Sequence, residues 1–178
     1  KYGFIDKSGK VVIEPQFDIE SEWDKVYRSR SGAFSEGLAL VKKDGKWGFI
    51  DKNGKMVIEP QFDEAGDFFE GFACVEKDGK WGFIDKSGKV VVEPQFDGVG
   101  DFSEGLAQVK KDGKVGFIDK SGKVVIEPQF DVAYPFSEGL SGCRSLKNVD
   151  GLGKVYKYGK WGYLDKTGKM VIEPQFDW

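Results

Sequence analysis

The chain has 178 residues, 39% of them hydrophobic and 15% aromatic, and its charged residues nearly cancel to a net charge of −3. Lysine and arginine are spread along it instead of massed in one run, which argues against a nucleic-acid partner or a basic membrane-surface footprint. There is no histidine, and Cys74 and Cys143 stand alone. That excludes Ser-His and Cys-His nucleophile systems and makes a Cys/His zinc site or a disulfide framework unexpected.

No apolar run approaches the roughly 18 residues of a membrane-crossing helix, and no signal peptide is recognisable. The chain opens at Lys1 inside a repeated phrase, so it reads as a soluble portion of a longer protein whose location is left open.

From the first residues onward one phrase organises the chain. Gly-Phe-Ile-Asp-Lys-x-Gly-Lys-x-Val-Ile-Glu-Pro-Gln-Phe-Asp begins at Gly3 and returns, with minor substitutions, at Gly48, Gly82, Gly116 and Gly162. The hairpin phrases span 2–18, 47–63, 81–97, 115–131 and 161–177. The residue before each Gly is Tyr2, Trp47, Trp81, Val115 and Trp161, giving spacings of 45, 34, 34 and 46. The unit is therefore about 34 residues, interrupted by insertions of 11 and 12 near 19–32 and 142–159, within one array covering 1–178. A second phrase, built on Phe-Ser-Glu-Gly, links the units at Phe34, Phe68, Phe102 and Phe136. Self-similarity at such a period marks structural units that bury their core only by stacking on one another.

The second unit shows how each is built. Leu38–Lys42 and Lys46–Asp51 flank Asp44-Gly45, a strong hairpin signal because glycine accepts the positive φ of tight turns. Lys52-Asn53-Gly54 then leads into Lys55–Glu59, and Pro60, which cannot donate to a ladder, is expected to end that strand. Each unit thus reads as a three-stranded antiparallel meander. With three-residue loops at both turns, Val41 faces Trp47, Ala39 faces Phe49, Phe49 faces Val57 and Trp47 faces Glu59. Both faces are then largely apolar, which favours stacking. Leu40 aligns with Cys74, Gln108 and Gly142, so this position is expected to meet solvent, whereas Cys143 is expected to be packed.

Lys46-Trp47-Gly48-Phe49-Ile50-Asp51-Lys52-Asn53-Gly54-Lys55 and its copies resemble the WG-repeat family, which is found mostly in bacterial proteins. The resemblance implies a β-repeat scaffold for interaction or binding, with no shared catalytic site. Trp161–Met170 is more weakly similar to choline-binding hairpin repeats, whose aromatics surround quaternary ammonium groups. Their period is nearer 20, and this chain lacks their dense aromatic pairs.

The expected fold is all-β, a tandem array of three-stranded meanders in an open, solenoid-like arrangement, with a small closed propeller or barrel as the alternative. The open form is favoured because the same hairpin phrase starts and ends the array.

Trp47, Trp81 and Trp161, with Gly48, Gly82, Gly116 and Gly162, are read as structural. Glycine would leave room for a neighbouring layer, and each indole N–H would find the glutamate opposite, Glu59, Glu93 or Glu173. Val115 lacks the indole, and its layer would be looser or filled by Tyr134. The Asp-Lys-x-Gly-Lys turns carry one carboxylate each and lack the alternating acids of a calcium loop. The Glu-Pro-Gln-Phe-Asp acids recur in every unit, which marks them as architecture and not as a glycosidase pair. No cofactor, metal or catalytic residue is expected, and the chain is not read as an enzyme.

Function is placed where the pattern breaks. The first insertion holds Trp23, Tyr27, Arg28 and Arg30, residue types that anchor interfaces, and the second holds Tyr156 and Tyr158. The expected role is a non-catalytic scaffold whose partner is another protein. The alternative is a module for glycan or another cell-envelope ligand.

Overall fold

The computed structural model describes residues 1–19, 34–138, 140–144 (backbone only) and 160–176. Every element among them is a strand. β1 (Tyr2–Ile5) and β2 (Val11–Phe17) form a two-stranded hairpin. β3 (Phe34–Ser35), β4 (Leu38–Lys43), β5 (Lys46–Asp51) and β6 (Met56–Phe62) form a four-stranded meander. The pattern repeats in β7 (Glu64–Ala65), β8 (Phe72–Lys77), β9 (Lys80–Asp85) and β10 (Val90–Phe96). It repeats again in β11 (Gly98–Ser103), β12 (Leu106–Lys111), β13 (Lys114–Asp119) and β14 (Val124–Phe130). The last sheet comprises β15 (Val132–Ala133), β16 (Leu140–Arg144), β17 (Trp161–Asp165) and β18 (Met170–Phe176). The fold is all-β, and none of these sheets closes into a barrel. The chain divides into two compact bodies, Lys1–Pro94 and Gln95–Trp178.

The three strands expected of each unit are present, and the linker adds a fourth, two residues long in three of the sheets and six in β11. The residues after each Gln-Phe-Asp phrase pair with the next unit's first long strand, as in Ala65↔Val75 and Val99↔Val109. The Phe-x-Glu-Gly phrase makes the turn between them: Ser35 pairs with Leu38, and Glu36 and Gly37 both take positive φ.

Two details of the expected register are corrected. The Asp44-Gly45 turn is a two-residue loop, because Lys43 pairs with Lys46 and both turn residues have positive φ (51° and 79°). This is the geometry whose twist matches antiparallel strands. Val41 therefore faces Gly48, Lys42 faces Trp47 and Leu40 faces Phe49. The second turn is the expected three-residue loop: Gly54 N–H donates to the Asp51 carbonyl at 3.0 Å and Asp51 N–H to the Lys55 carbonyl at 2.9 Å.

Beyond that turn the ladder slips. Ile50 pairs with Met56, Phe49 with Ile58 and Trp47 with Phe62, so Trp47 lies opposite Phe62 and not Glu59. Pro60 does not end the strand either. It sits in the irregular stretch opposite Gly48, where no ladder donor is needed, and β6 continues to Phe62.

These corrections reassign the two faces of the sheet. Leu38, Leu40, Trp47, Phe49, Ile58 and Phe62 share one core with Ala73, Val75 and Ile84 of the next sheet. On the opposite side, Ala39, Val41 and Ile50 pack with Ile13 and Phe17 of the first hairpin. Stacking thus sets a bulky aromatic face against a face of small and β-branched residues. The C-terminal body repeats this, with Phe117, Ile126 and Phe130 packed with Leu164. At two interfaces the linker phenylalanine packs edge-on: Phe68 lies 4.9 Å from Phe49 and Phe136 lies 4.9 Å from Phe117. Such pairs contribute about 0.5–1.5 kcal/mol beyond their burial.

Candidate functional site

The polar residues of the repeated phrase are engaged in holding turns and joining units. Asp6 Oδ1 accepts from the Ser8 hydroxyl (2.6 Å), the Ser8 amide (2.8 Å) and the Lys10 amide (3.0 Å), and Asp85, Asp119 and Asp165 repeat the arrangement. The hydroxyl, foremost, and the amides hold these carboxyls below the usual carboxylate range.

The aspartate of Gln-Phe-Asp reaches forward to the next unit. Asp63 is bonded to Lys46 and accepts the Asp78 amide at 3.0 Å; the Lys46 ammonium, ahead of that amide, lowers its pKa. Asp18 is likewise lowered, first by Lys1 and then by the Gly45 amide. The turn glutamate bridges units in the same way. Glu36 accepts the Gly71 amide at 3.1 Å and pairs with Lys86 at 2.9 Å, which lowers its pKa. Lys166–Glu104 repeats this pair at 2.9 Å in the C-terminal body. Ser35 and Ser103 add donated bonds to the carbonyls of Phe68 (2.7 Å) and Phe136 (2.9 Å).

The Trp-Gly row is core. Trp47 is 3% exposed and Trp161 8%, while Trp81 is half-buried. The Trp47 Nε1 is buried and finds no acceptor among the described residues, so Glu59 does not serve as one. The ring instead has the Lys42 ammonium 5.2 Å from its centroid. Glycine follows because the chain's own third strand crosses there: a Cβ on Gly48 would lie 2.6 Å from the Ile58 carbonyl oxygen and 2.7 Å from Pro60 N. Gly162 is covered alike by Ile172 and Pro174, Gly82 by Val92 and Pro94, and Gly116 by Ile126 and Pro128. The close approach is thus within a unit, not between layers as the sequence suggested.

One further expectation fails in the column containing Leu40: Leu40 is buried, not solvated, whereas Cys74 is half-buried. Gln108 is accommodated in this column because its Nε2 donates to the Ala133 carbonyl at 2.8 Å. The side chain of Cys143, and all of Trp23, Tyr27, Arg28, Arg30, Tyr156 and Tyr158, lie outside the described residues.

The break at Val115 is the most distinctive local feature. Tyr134 does not fill it; it stacks on Trp161, with centroids 5.1 Å apart and planes inclined by 12°. Beside Val115 there is an open cleft of about 220 Å³ lined by Gly98, Val99, Gly100, Gln108, Val109, Lys110 and Val115. The sequence marked Val115 as a missing indole and aligns Gly100 with Tyr134 of the next unit, but nothing in it showed that the two leave an open cleft.

Among the described residues no group of three or more Cys, Asp or Glu side chains is placed to hold a metal ion. No helix among them is long and apolar enough to cross a membrane, which leaves membrane β-barrels unaddressed.

A family model described as "WG containing repeat" matches residues 2–18, 19–47, 47–81, 81–114, 116–142 and 161–178. No curated protein matches the chain by sequence. One solved structure with detectable similarity is described as a plant lectin with two metal binding sites from Cicer arietinum. It is 13% identical, with 73% of this chain and 89% of that chain covered and a TM-score of 0.29, a likeness too low to carry an argument.

Proposed function

Since the chain belongs to the family of WG-containing repeats, we propose that it is a non-catalytic β-repeat scaffold whose insertions engage another protein. The observation behind this reading is how the repeated residues are used. Trp47, Trp161 and most of the described phenylalanines of the phrase are core, and the recurrent Asp, Glu, Lys and Ser side chains tie turns and neighbouring units together. Departures from the phrase are therefore where a partner finds side chains not already committed. Trp23, Tyr27, Arg28 and Arg30 are of the types that dominate interface energetics, and Tyr156 and Tyr158 extend the same composition to the second insertion. Enzymatic turnover is not part of this reading, since no repeated carboxylate is singled out for chemistry.

Affinity capture followed by purification of the captured species, with wild type beside Trp23→Ala and Tyr27→Ala, tests it. One protein should be retained in stoichiometric amount by wild type and lost with either substitution. Equal retention by all three would assign the first insertion a structural role.

The second reading is a glycan-binding module. Tyr134 is 53% exposed while one face rests on Trp161, an aromatic platform of the kind on which a sugar ring stacks. A glycan array with Tyr134→Ala as control separates it from the first: saturable binding lost on that substitution favours the module.

A further inference from the structure

We infer that the cleft beside Val115 is a receptor for one tryptophan side chain of a partner protein. This deepens the scaffold reading and rests on it for the source of the ring.

The chain carries its own template for the occupant. Lys42↔Trp47, Glu76↔Trp81 and Lys110↔Val115 are the same register pair in three successive copies of the meander, so an indole fits this place on the sheet. In the last sheet the equivalent Trp161 is covered by Tyr134, whose counterpart beside Val115 is Gly100. Relative to that sheet both large rings are absent beside Val115, where the space is open at about 220 Å³. An apolar cavity of about 150 Å³ already admits benzene, so the volume suits a two-ring system.

The groups that would hold a ring are still present. Lys42 sits over the Trp47 ring at 5.2 Å, and its counterpart Lys110 lines the cleft with no ring beneath it in the same register. A cation left without its aromatic face is complementary to an incoming one.

Gln108 supplies the discriminating contact. Its Nε2 is committed to the Ala133 carbonyl at 2.8 Å, which turns the other amide atom toward Gly100. A Cβ at Gly100 would lie 2.9 Å from Oε1, so this acceptor faces the cleft. Oε1 accepts the indole N–H, a bond that phenylalanine cannot offer.

Titration of the full chain with N-acetyltryptophanamide, followed by amide ¹H–¹⁵N NMR, tests this. Saturable shifts are expected at Gly98, Gly100, Lys110, Val115 and the Gln108 side chain, with a Kd on the order of 1 mM for a lone side chain. N-acetylphenylalaninamide should bind several-fold more weakly, for want of one hydrogen bond. Lys110→Ala should weaken binding about twofold to fivefold, as expected of an exposed cation–π contact. Val115→Trp should abolish the shifts while melting no lower than wild type, because the indole then fills its own cleft. Gly100→Tyr closes the same space from β11 and should give the same loss.

The inference is overturned if no saturable shift develops, if shifts centre elsewhere, or if either cleft-filling variant still binds. A Val115→Trp protein that fails to fold also overturns it, since the template argument requires room for that ring. The probe does not involve Trp23. Failure of the capture experiment with intact probe binding removes the insertion as an interface, whereas failure of the probe removes the cleft alone.

Discussion

Replacing Gly48 by alanine tests why a glycine follows the tryptophan. The added Cβ would meet the Ile58 oxygen at 2.6 Å, Pro60 N at 2.7 Å and the Glu59 carbonyl carbon at 3.0 Å. Ordinary carbon contacts begin near about 3.5 Å, so the shortfall is about 0.9 Å. All three obstacles are backbone atoms of β6, so no rotamer change relieves them. The strand must move, and with it Ile58 and Phe62, both in the core shared with the next sheet. Overpacking of this kind costs roughly 1–3 kcal/mol, and a rigid obstacle places it at about 3. In a chain of this size that lowers Tm by about 6–12 °C. Gly98→Ala is the control: it too is a strand glycine, but its Cβ would meet only the Lys110 Cβ, at 3.9 Å. Loss of unfolded-chain entropy makes that change neutral or stabilising, by up to about 1 kcal/mol. Urea denaturation of both variants with unchanged m-values supplies the comparison. If Gly48→Ala is no more destabilising than Gly98→Ala, close approach does not explain the Trp-Gly pair.

Trp47→Phe should change stability by no more than about 1 kcal/mol, because the lost contacts are offset by removing a buried N–H that has no acceptor, whereas Trp47→Ala should cost about 3–5 kcal/mol. Equal costs in urea denaturation would show that the N–H is satisfied after all. Ser35→Ala and Ser103→Ala each remove one bond to a phenylalanine carbonyl in the next unit and should cost the same, about 1 kcal/mol; a large inequality in melting would show that these repeats are not equivalent. Acid should weaken the fold in a defined window. Asp6, Asp18, Glu36, Asp63, Asp85, Asp119 and Asp165 all have lowered pKa values, so their contribution is complete above the ordinary values, 3.8 for Asp and 4.5 for Glu. As pH falls through the lowered values, the unfolded chain having taken up its protons first, that contribution is lost. Stability measured at pH 7, 5 and 3 should be level between the first two and lower at the third; a rise toward pH 3 contradicts the assignment.

The repeat, the all-strand class, the hairpins and the Asp-Lys-x-Gly turn were legible in the sequence, because each rests on local chemistry: a period, an Asp-Gly pair, a glycine where φ is positive. The register was not. A two-residue loop in place of three moves every partner by one, so Lys42 and not Val41 lies opposite Trp47. Glu59-Pro60-Gln61 then bulges opposite Gly48, and alternation counted from the turn fails beyond Met56. The fourth strand was missed because in β3, β7 and β15 it is two residues long, and in every sheet it owes its pairing to the unit that follows. Two residues carry no periodicity.

The same distinction governs the site. That Val115 broke the Trp-Gly pattern was visible at once, but a substitution in a core position is mute about whether neighbours close over it. Closure depends on Gly100, which lies in the linker 15 residues earlier and reaches the same face only through the β11–β12 pairing. In the next unit the corresponding pair is Trp and Tyr, and the two rings cover each other. With neither ring beside it, Val115 borders an open space lined by a cation and an amide acceptor, Lys110 and Gln108. A repeat thus acquires a candidate binding cleft by subtraction, while the rest of its phrase continues to hold the fold.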